Sequence, residues 1–268
     1  MKSRITCYFE SFLIALQFFT IIPVNKNIDL TEGNLKRSIL YYPIIGLLFG
    51  IFISIIYYSL YFFTPFSSLT IAAVLVTVSI FLTGGLHLDG WIDCSDAYFS
   101  YRDKEKRLEI MKDPRVGAFG VLSLLFLLGW RFLFIYEITA SYRWELLIII
   151  PFIPMLSRIG MGMMFMRGKL AKNEGLAHYF QRALKPKDIV WYSVYILPLF
   201  VFPFYENNNL FLFLILLYNG ALLFEKISHF FINKQFGGIT GDTLGAAVEG
   251  CESWLWMILW LLHYFGTG

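Results

Sequence analysis

The chain has 268 residues, 57% of them hydrophobic and 15% charged, with a mean hydropathy of +0.63 and a net charge of +3. A soluble domain carries about 25% charged residues, so this composition excludes one and points to an integral membrane protein. The small positive charge does not by itself indicate nucleic-acid binding; basic loops beside a lipid bilayer account for it better. Cys7, Cys94 and Cys251 are scattered with no CxxC pair, which argues against a disulfide framework and against a zinc site. Lys2 and Arg4 precede an apolar stretch, but no small-residue cleavage site follows, so no removable signal peptide is expected.

Residues 5–22 are apolar but carry Glu10 and Gln17 and stop at Pro23, as an interfacial or re-entrant helix would. A span needs about 20 apolar residues. Segments 39–62, 70–88, 116–136, 146–166, 189–204, 210–232 and 254–265 supply about seven, with 189–204 and 254–265 the shortest. Loops 23–38, 101–115, 167–187 and 233–252 hold nearly all the loop Lys and Arg, whereas 63–69, 137–145 and 205–209 hold only Arg143. The basic loops therefore face the cytoplasm. The expected fold is all-α: a polytopic membrane helical bundle forming one catalytic domain over residues 1–268, with its site built from segments 83–120 and 236–250. No internal repeat is evident.

At the end of the second span stands "TGGLHLDGWIDCSDAYFS". Asp89, Asp93 and Asp96 sit at i, i+4 and i+7, on one helical face that Ser100 extends. Three carboxylates so close repel one another, and a cation removes that penalty. Carboxylate oxygens suit Mg²⁺ or Mn²⁺ rather than zinc. The plainer alternative is a solvated acidic helix end. Acids at membrane depth in a charge-poor chain favour function. His87 would point away from Asp89 on a continuous helix, but Gly84 and Gly85 make irregular backbone expected there. A structural histidine is as good an account of it as a catalytic one.

Arg102, Lys104, Lys106 and Arg107 follow, then "KDPRVGAFG". Asp113 before Pro114 reads as a helix start with Asp113 as N-cap. Arg115 in that first turn, beside free N–H groups, would make an anion site. Lys104 and Lys106 are better explained as topology signals. Arg158, inside a span, should face the bundle interior and meet an acid or a phosphate. Arg131, near the outer end of its span, is expected to snorkel. Further on, "FGGITGDTLGAAVEG" puts Asp242 and Glu249 seven apart on one helical face, with Gly245 and Ala246 as a small floor between them. An N-cap role would explain Asp242 but not Glu249.

These segments, with "LSRIG", "FFTIIPV" and "YYPIIGLLFG", resemble the adenosylcobinamide-GDP ribazoletransferase family, also called cobalamin 5′-phosphate synthases, from about Phe18 to Glu249. Cys94, Ala97 and Tyr98 depart from the family's usual small residues and Gly without removing an acid. The resemblance implies joining of adenosylcobinamide-GDP to α-ribazole or its 5′-phosphate with release of GMP, dependent on Mg²⁺, at the cytoplasmic membrane. Asp89, Asp93 and Asp96 would hold the metal. Asp242, Glu249 and His87 would complete the catalytic set. Arg102, Arg107, Asp113, Arg115 and Arg158 would bind phosphate or substrate. A homo-oligomer is left open. Two other classes would leave different signs in the sequence. A CDP-alcohol phosphotransferase would show D-x2-D-G-x2-A-R…G-x3-D-x3-D, and this chain has D-G-x2-D-x2-D. A transporter would place polar residues near span midpoints and show repeats.

Overall fold

Glycine and proline decide where the helices break and where they touch. The computed structural model describes residues 4–140, 143–172, 174–197 and 208–265. Twelve α-helices follow in order among them: α1 (Arg4–Phe19), α2 (Glu32–Leu40), α3 (Tyr42–Phe63), α4 (Ser68–Thr83), α5 (Leu86–Phe99), α6 (Lys104–Ile110), α7 (Ala118–Thr139), α8 (Trp144–Ile149), α9 (Phe152–Arg167), α10 (Gly175–Gln181), α11 (Asn208–Phe236) and α12 (Gly241–Phe265). A 3₁₀ turn, Pro186–Tyr192, lies between α10 and α11. The described residues contain no β-strand, only an isolated bridge between Leu170 and Ile239. The chain is an all-helical bundle of membrane type, as expected.

The spans differ in detail from the expectation. Among the described residues Tyr42–Phe63, Ala118–Thr139, Trp144–Arg167 and Leu210–Phe236 are long and apolar enough to cross a bilayer, 4 rather than about seven by that measure. The expected span 70–88 is instead broken. α4 ends at Thr83, and Gly84 and Gly85 adopt φ of 63° and 75°, so α5 leaves at 90° to α4. Only glycine takes two successive left-handed residues without strain. Segment 254–265 is the C-terminal half of α12, a helix whose acidic N-terminal half is not apolar. Of segment 189–204, the described part is the 3₁₀ turn and a short helical continuation; residues 198–204 lie outside the described residues. The apolar stretch 5–22 forms α1, whose 16 residues are short for a span. Its end is tied to the elbow between α4 and α5 by the Ile21 N–H, which donates to the Leu82 carbonyl at 3.2 Å.

α9 is the central helix. The span that contains it is 83% buried, against 28–39% for the other three. It packs on α3 through Gly46 and Gly50, which lie directly on the backbone of Pro154 and Pro151. Small residues let membrane helices approach this closely and gain dispersion energy where no hydrophobic drive exists. A side chain at Gly50 would enter the Pro151 backbone, so Gly50→Leu should destabilise the detergent-solubilised protein by about 1–3 kcal/mol. Gly129, on α7, has nothing within 4 Å of where a Cβ would stand. Gly129→Ala should leave the thermal midpoint unchanged or slightly higher. A midpoint insensitive to Gly50→Leu contradicts this account of the α3–α9 contact.

Candidate active site

α5 has two working faces. His87, Gly90, Cys94 and Ala97 form its buried stripe, while Asp89 is exposed and Asp93 and Asp96 are half-buried on the other side. The buried stripe crosses the start of α12 at very short range. Gly90 sits on the backbone of Asp242, and Gly245 sits on the backbone of His87. The turn before α12 uses Gly237 and Gly238, and Thr240 and Thr243 cap each other: each backbone N–H donates to the other's hydroxyl, at 2.7 and 3.1 Å. The Ile239 N–H donates to the Lys169 carbonyl at 2.7 Å and anchors this turn to the loop after α9. Asp242 is thereby delivered to the acidic face of α5, and Asp93 feels the charges of Asp89, Asp96 and Asp242.

Asp96 has a different role from its two neighbours. Its carboxylate accepts the N–H groups of Gly117 and Gly120, both at 2.7 Å, and so caps the N-terminus of α7 from another helix. Glycine at 117 and 120 leaves room for this cap, because a Cβ at either position would displace that carboxylate. This corrects the expected helix start. α7 begins at Ala118, and Asp113 is not its N-cap. Asp113 instead accepts from the backbone and guanidinium of Arg115, the closest contact being 2.6 Å, in an exposed turn. Hydrogen bonds from Arg115 pull the Asp113 carboxyl down to about 2. Arg115 is therefore outside the first turn of α7 but close to it in sequence, with its side chain 86% exposed.

Asp89 and Asp93 accept no hydrogen bond and form no ion pair among the described residues. No set of three His, Cys, Asp or Glu side chains among the described residues converges closely enough, as it stands, to hold a metal ion. The donor set is nonetheless all carboxylate and suits a hard cation. Both oxygens of Asp96 are held by N–H groups, whereas the carboxylates of Asp89 and Asp93 stand open beside Asp242.

Beneath this rim lies a second set of charges. Arg131, 2% exposed, donates to the Glu249 carboxylate and carbonyl, each at 2.7 Å, and to Ser253 Oγ at 2.9 Å. Its Nη1 is 3.9 Å from Glu252. Arg158 pairs with Glu252 and donates to Ser157 Oγ at 3.0 Å. Arg158 thus meets an acid inside the bundle, as expected of it. Arg131 does not snorkel: two acids on α12 draw it inward. Glu249 shares a face with Asp242, but seven residues of rise carry it about 10 Å deeper, into the ion pair with Arg131 rather than to the rim. Glu252 and Arg131 were not among the candidates. Their signal in the sequence is an acid one turn beyond Glu249 on an apolar helix, and an arginine in a span to match it.

The other candidates are dispersed. Both ring nitrogens of His87 are buried without a hydrogen-bond partner, beside a small void shared with Tyr42 and Arg158 and on the stripe away from the acids. Arg102 is exposed just after α5. Arg107 donates to the carbonyl and side chain of Gln235, at 3.2 and 2.6 Å, and lies over the Tyr98 ring. The buried network sets one expectation. Arg131→Met leaves Glu249 charged and unpaired, which should cost about 3–5 kcal/mol in thermal or denaturant unfolding. Arg131→Met/Glu249→Leu should recover most of that loss. Equal losses in both variants would show that the ion pair is not what Arg131 contributes.

Comparison with known proteins bears on this arrangement. Residues 11–260 match the family model described as Cobalamin-5-phosphate synthase. Adenosylcobinamide-GDP ribazoletransferase of Geobacillus sp. (strain WCH70) is 41% identical, over 96% of this chain and 97% of the relative. The same-named proteins of Geobacillus thermodenitrificans (strain NG80-2) and Clostridioides difficile (strain 630) are 39% and 32% identical, over 97% and 95% of this chain and 98% of each relative. No solved structure matches the chain. A family match across nearly the whole chain, with relatives of this identity and coverage, shows that the chain belongs to the cobalamin-5-phosphate synthase family.

Proposed function

We propose that this chain joins adenosylcobinamide-GDP to α-ribazole or its 5′-phosphate, forming adenosylcobalamin or its 5′-phosphate and releasing GMP. It would do so at the cytoplasmic membrane with the acidic rim facing the cytoplasm. The observation that carries this is the pair of unneutralised carboxylates, Asp89 and Asp93, set beside Asp242 at a helix crossing in a member of this family. Such a reaction exchanges one phosphate ester for another, so positioning and neutralisation of charge dominate it. The phosphorus bonded to cobinamide is attacked by the 3′-hydroxyl of ribazole, one P–O bond forms, and the P–O bond to GMP breaks.

Asp89, Asp93 and Asp242 would hold Mg²⁺. Mg²⁺, when bound, supplies Lewis-acid neutralisation of the pyrophosphate oxygens. Asp96 acts at one remove: by capping α7 it fixes α7 against α5 and keeps the acidic face in register. A rim carboxylate with no partner of its own is suited to take the proton of the attacking hydroxyl. Arg115, exposed and held only by Asp113, can turn from that carboxylate to a phosphate. Arg158 and Glu249, locked into the buried network, hold α12 in place and do not reach the rim.

The test is the purified full-length enzyme, assayed with adenosylcobinamide-GDP and α-ribazole at saturating Mg²⁺. Asp89→Asn and Asp93→Asn should each lower turnover by about 10²-fold or more, with unfolding midpoints no lower than that of the unaltered protein. Undiminished turnover in both variants removes the metal assignment.

A further inference from the structure

About half a helical turn around α5 from its acidic face, Trp91, Ser95 and Tyr98 look into a different space. There α5, α7, α11 and α12 line a groove of about 1110 Å³. Its largest lining side chains are Trp91, Trp130, Trp254 and Trp260. None of its lining residues is charged. Ser95, Tyr98, Ser123, Ser228, Thr243 and Ser253 bring hydroxyls, but four of these are already engaged, Thr243 with Thr240 in the turn before α12. Ser95 donates to the Trp91 carbonyl at 2.7 Å, Ser123 donates to the Gly120 carbonyl at 2.9 Å, and Ser253 accepts from Arg131 at 2.9 Å. A polar ligand would lose its hydration here and gain few hydrogen bonds in return.

Length narrows the choice further. On α12 the lining runs from Thr243 to Leu261, which at 1.5 Å per residue is about 27 Å, close to the roughly 30 Å hydrocarbon core of a bilayer. A flat heterocycle fills only a fraction of that length, whereas an extended acyl chain runs along the whole of one leaflet's share of it, roughly half. The end beside α6 is basic. The Arg107 guanidinium lies 5.4 Å from the centre of the Tyr98 ring, which itself lines the cavity, and Arg107 Nε is buried with no acceptor. Exposed Lys234 adds a second cation on α11, one turn from Phe231, which lines the same end. Basic side chains at the cytoplasmic end of a groove between membrane helices match the phosphate of an anionic lipid.

We infer that this groove is a specific phospholipid site. It takes the acyl chains of an anionic phospholipid along α7, α11 and α12 and its headgroup phosphate at Arg107 and Lys234. The site is separate from the acidic rim and does not depend on which reaction the rim performs.

Detergent-washed full-length protein is mixed with equal amounts of phosphatidylglycerol and phosphatidylcholine carrying the same chains, and retained lipid is counted by native mass spectrometry. One phosphatidylglycerol should be retained per chain, favoured over phosphatidylcholine by about five-fold or more. Ser123→Phe/Ser228→Phe, which fills the groove, should lose that retained lipid. Arg107→Gln/Lys234→Gln should keep a lipid but show no headgroup preference, and it tests the site even if the filled variant does not fold. Retention of neither lipid, equal retention of both by the unaltered protein, or an unchanged preference in Arg107→Gln/Lys234→Gln overturns the proposal. So does displacement of the lipid by free α-ribazole in proportion to its concentration, which would assign the groove to the nucleoside.

Discussion

Four charges buried among apolar helices hold this structure in one arrangement. Arg131 on α7, Arg158 on α9, and Glu249 and Glu252 on α12 sum to zero. None of them could remain in the bundle alone without a large desolvation penalty. Van der Waals packing between membrane helices tolerates small rotations and slides; a set of paired charges does not, because each displacement strands an ion. The network therefore fixes both the rotation and the depth of α12 against α7 and α9. Since α12 begins at the rim with Asp242, the depth of the network also sets where that carboxylate emerges.

The rim depends on that setting and on two kinds of close contact. Gly90 lets the backbone of Asp242 rest on α5, and Gly117 and Gly120 let α7 accept the Asp96 carboxylate as its cap. Three helices meet within a few residues, and the acids divide between two roles. Asp96 has both carboxylate oxygens bonded by backbone N–H groups and holds the meeting together. Asp89 and Asp93 are left unneutralised beside Asp242, an electrostatic condition that favours a bound cation. The same α5 turns its aromatic side to the apolar groove, so one short helix separates a polar face at the rim from a greasy one among the spans.

Much of this was legible in the sequence, and the failures have physical causes. The period of 3.6 placed Asp89, Asp93 and Asp96 on one face, and the glycine pair signalled irregular backbone before them. Local propensity then misjudged the start of α7. Asp113 before Pro114 satisfies every local rule for an N-cap, but Asp96 from a neighbouring helix supplies the acceptor, and the cap moves to Gly117. Arg131 was misjudged for a similar reason. Its position near a span end allows snorkelling, and only the approach of α12 makes the inward rotamer better. Glu249 shows a third limit. Angular position on a helix is a local property, but whether seven residues of rise lead to solvent or to an arginine depends on the neighbours.

The sequence by itself determined that this is a helical membrane protein, which end of the bundle carries the basic loops, that α5 has an acidic face, and which family the motifs resemble. These follow from composition, period and spacing, all of which are properties of short stretches of chain. Only the tertiary structure decided which acids stay available at the rim and which are bonded, because that bonding is a contact between segments far apart in sequence. Asp96 lies 21 residues from the N–H of Gly117, and Arg131 lies 118 residues from Glu249. No local pattern encodes which of these partners a carboxylate will find.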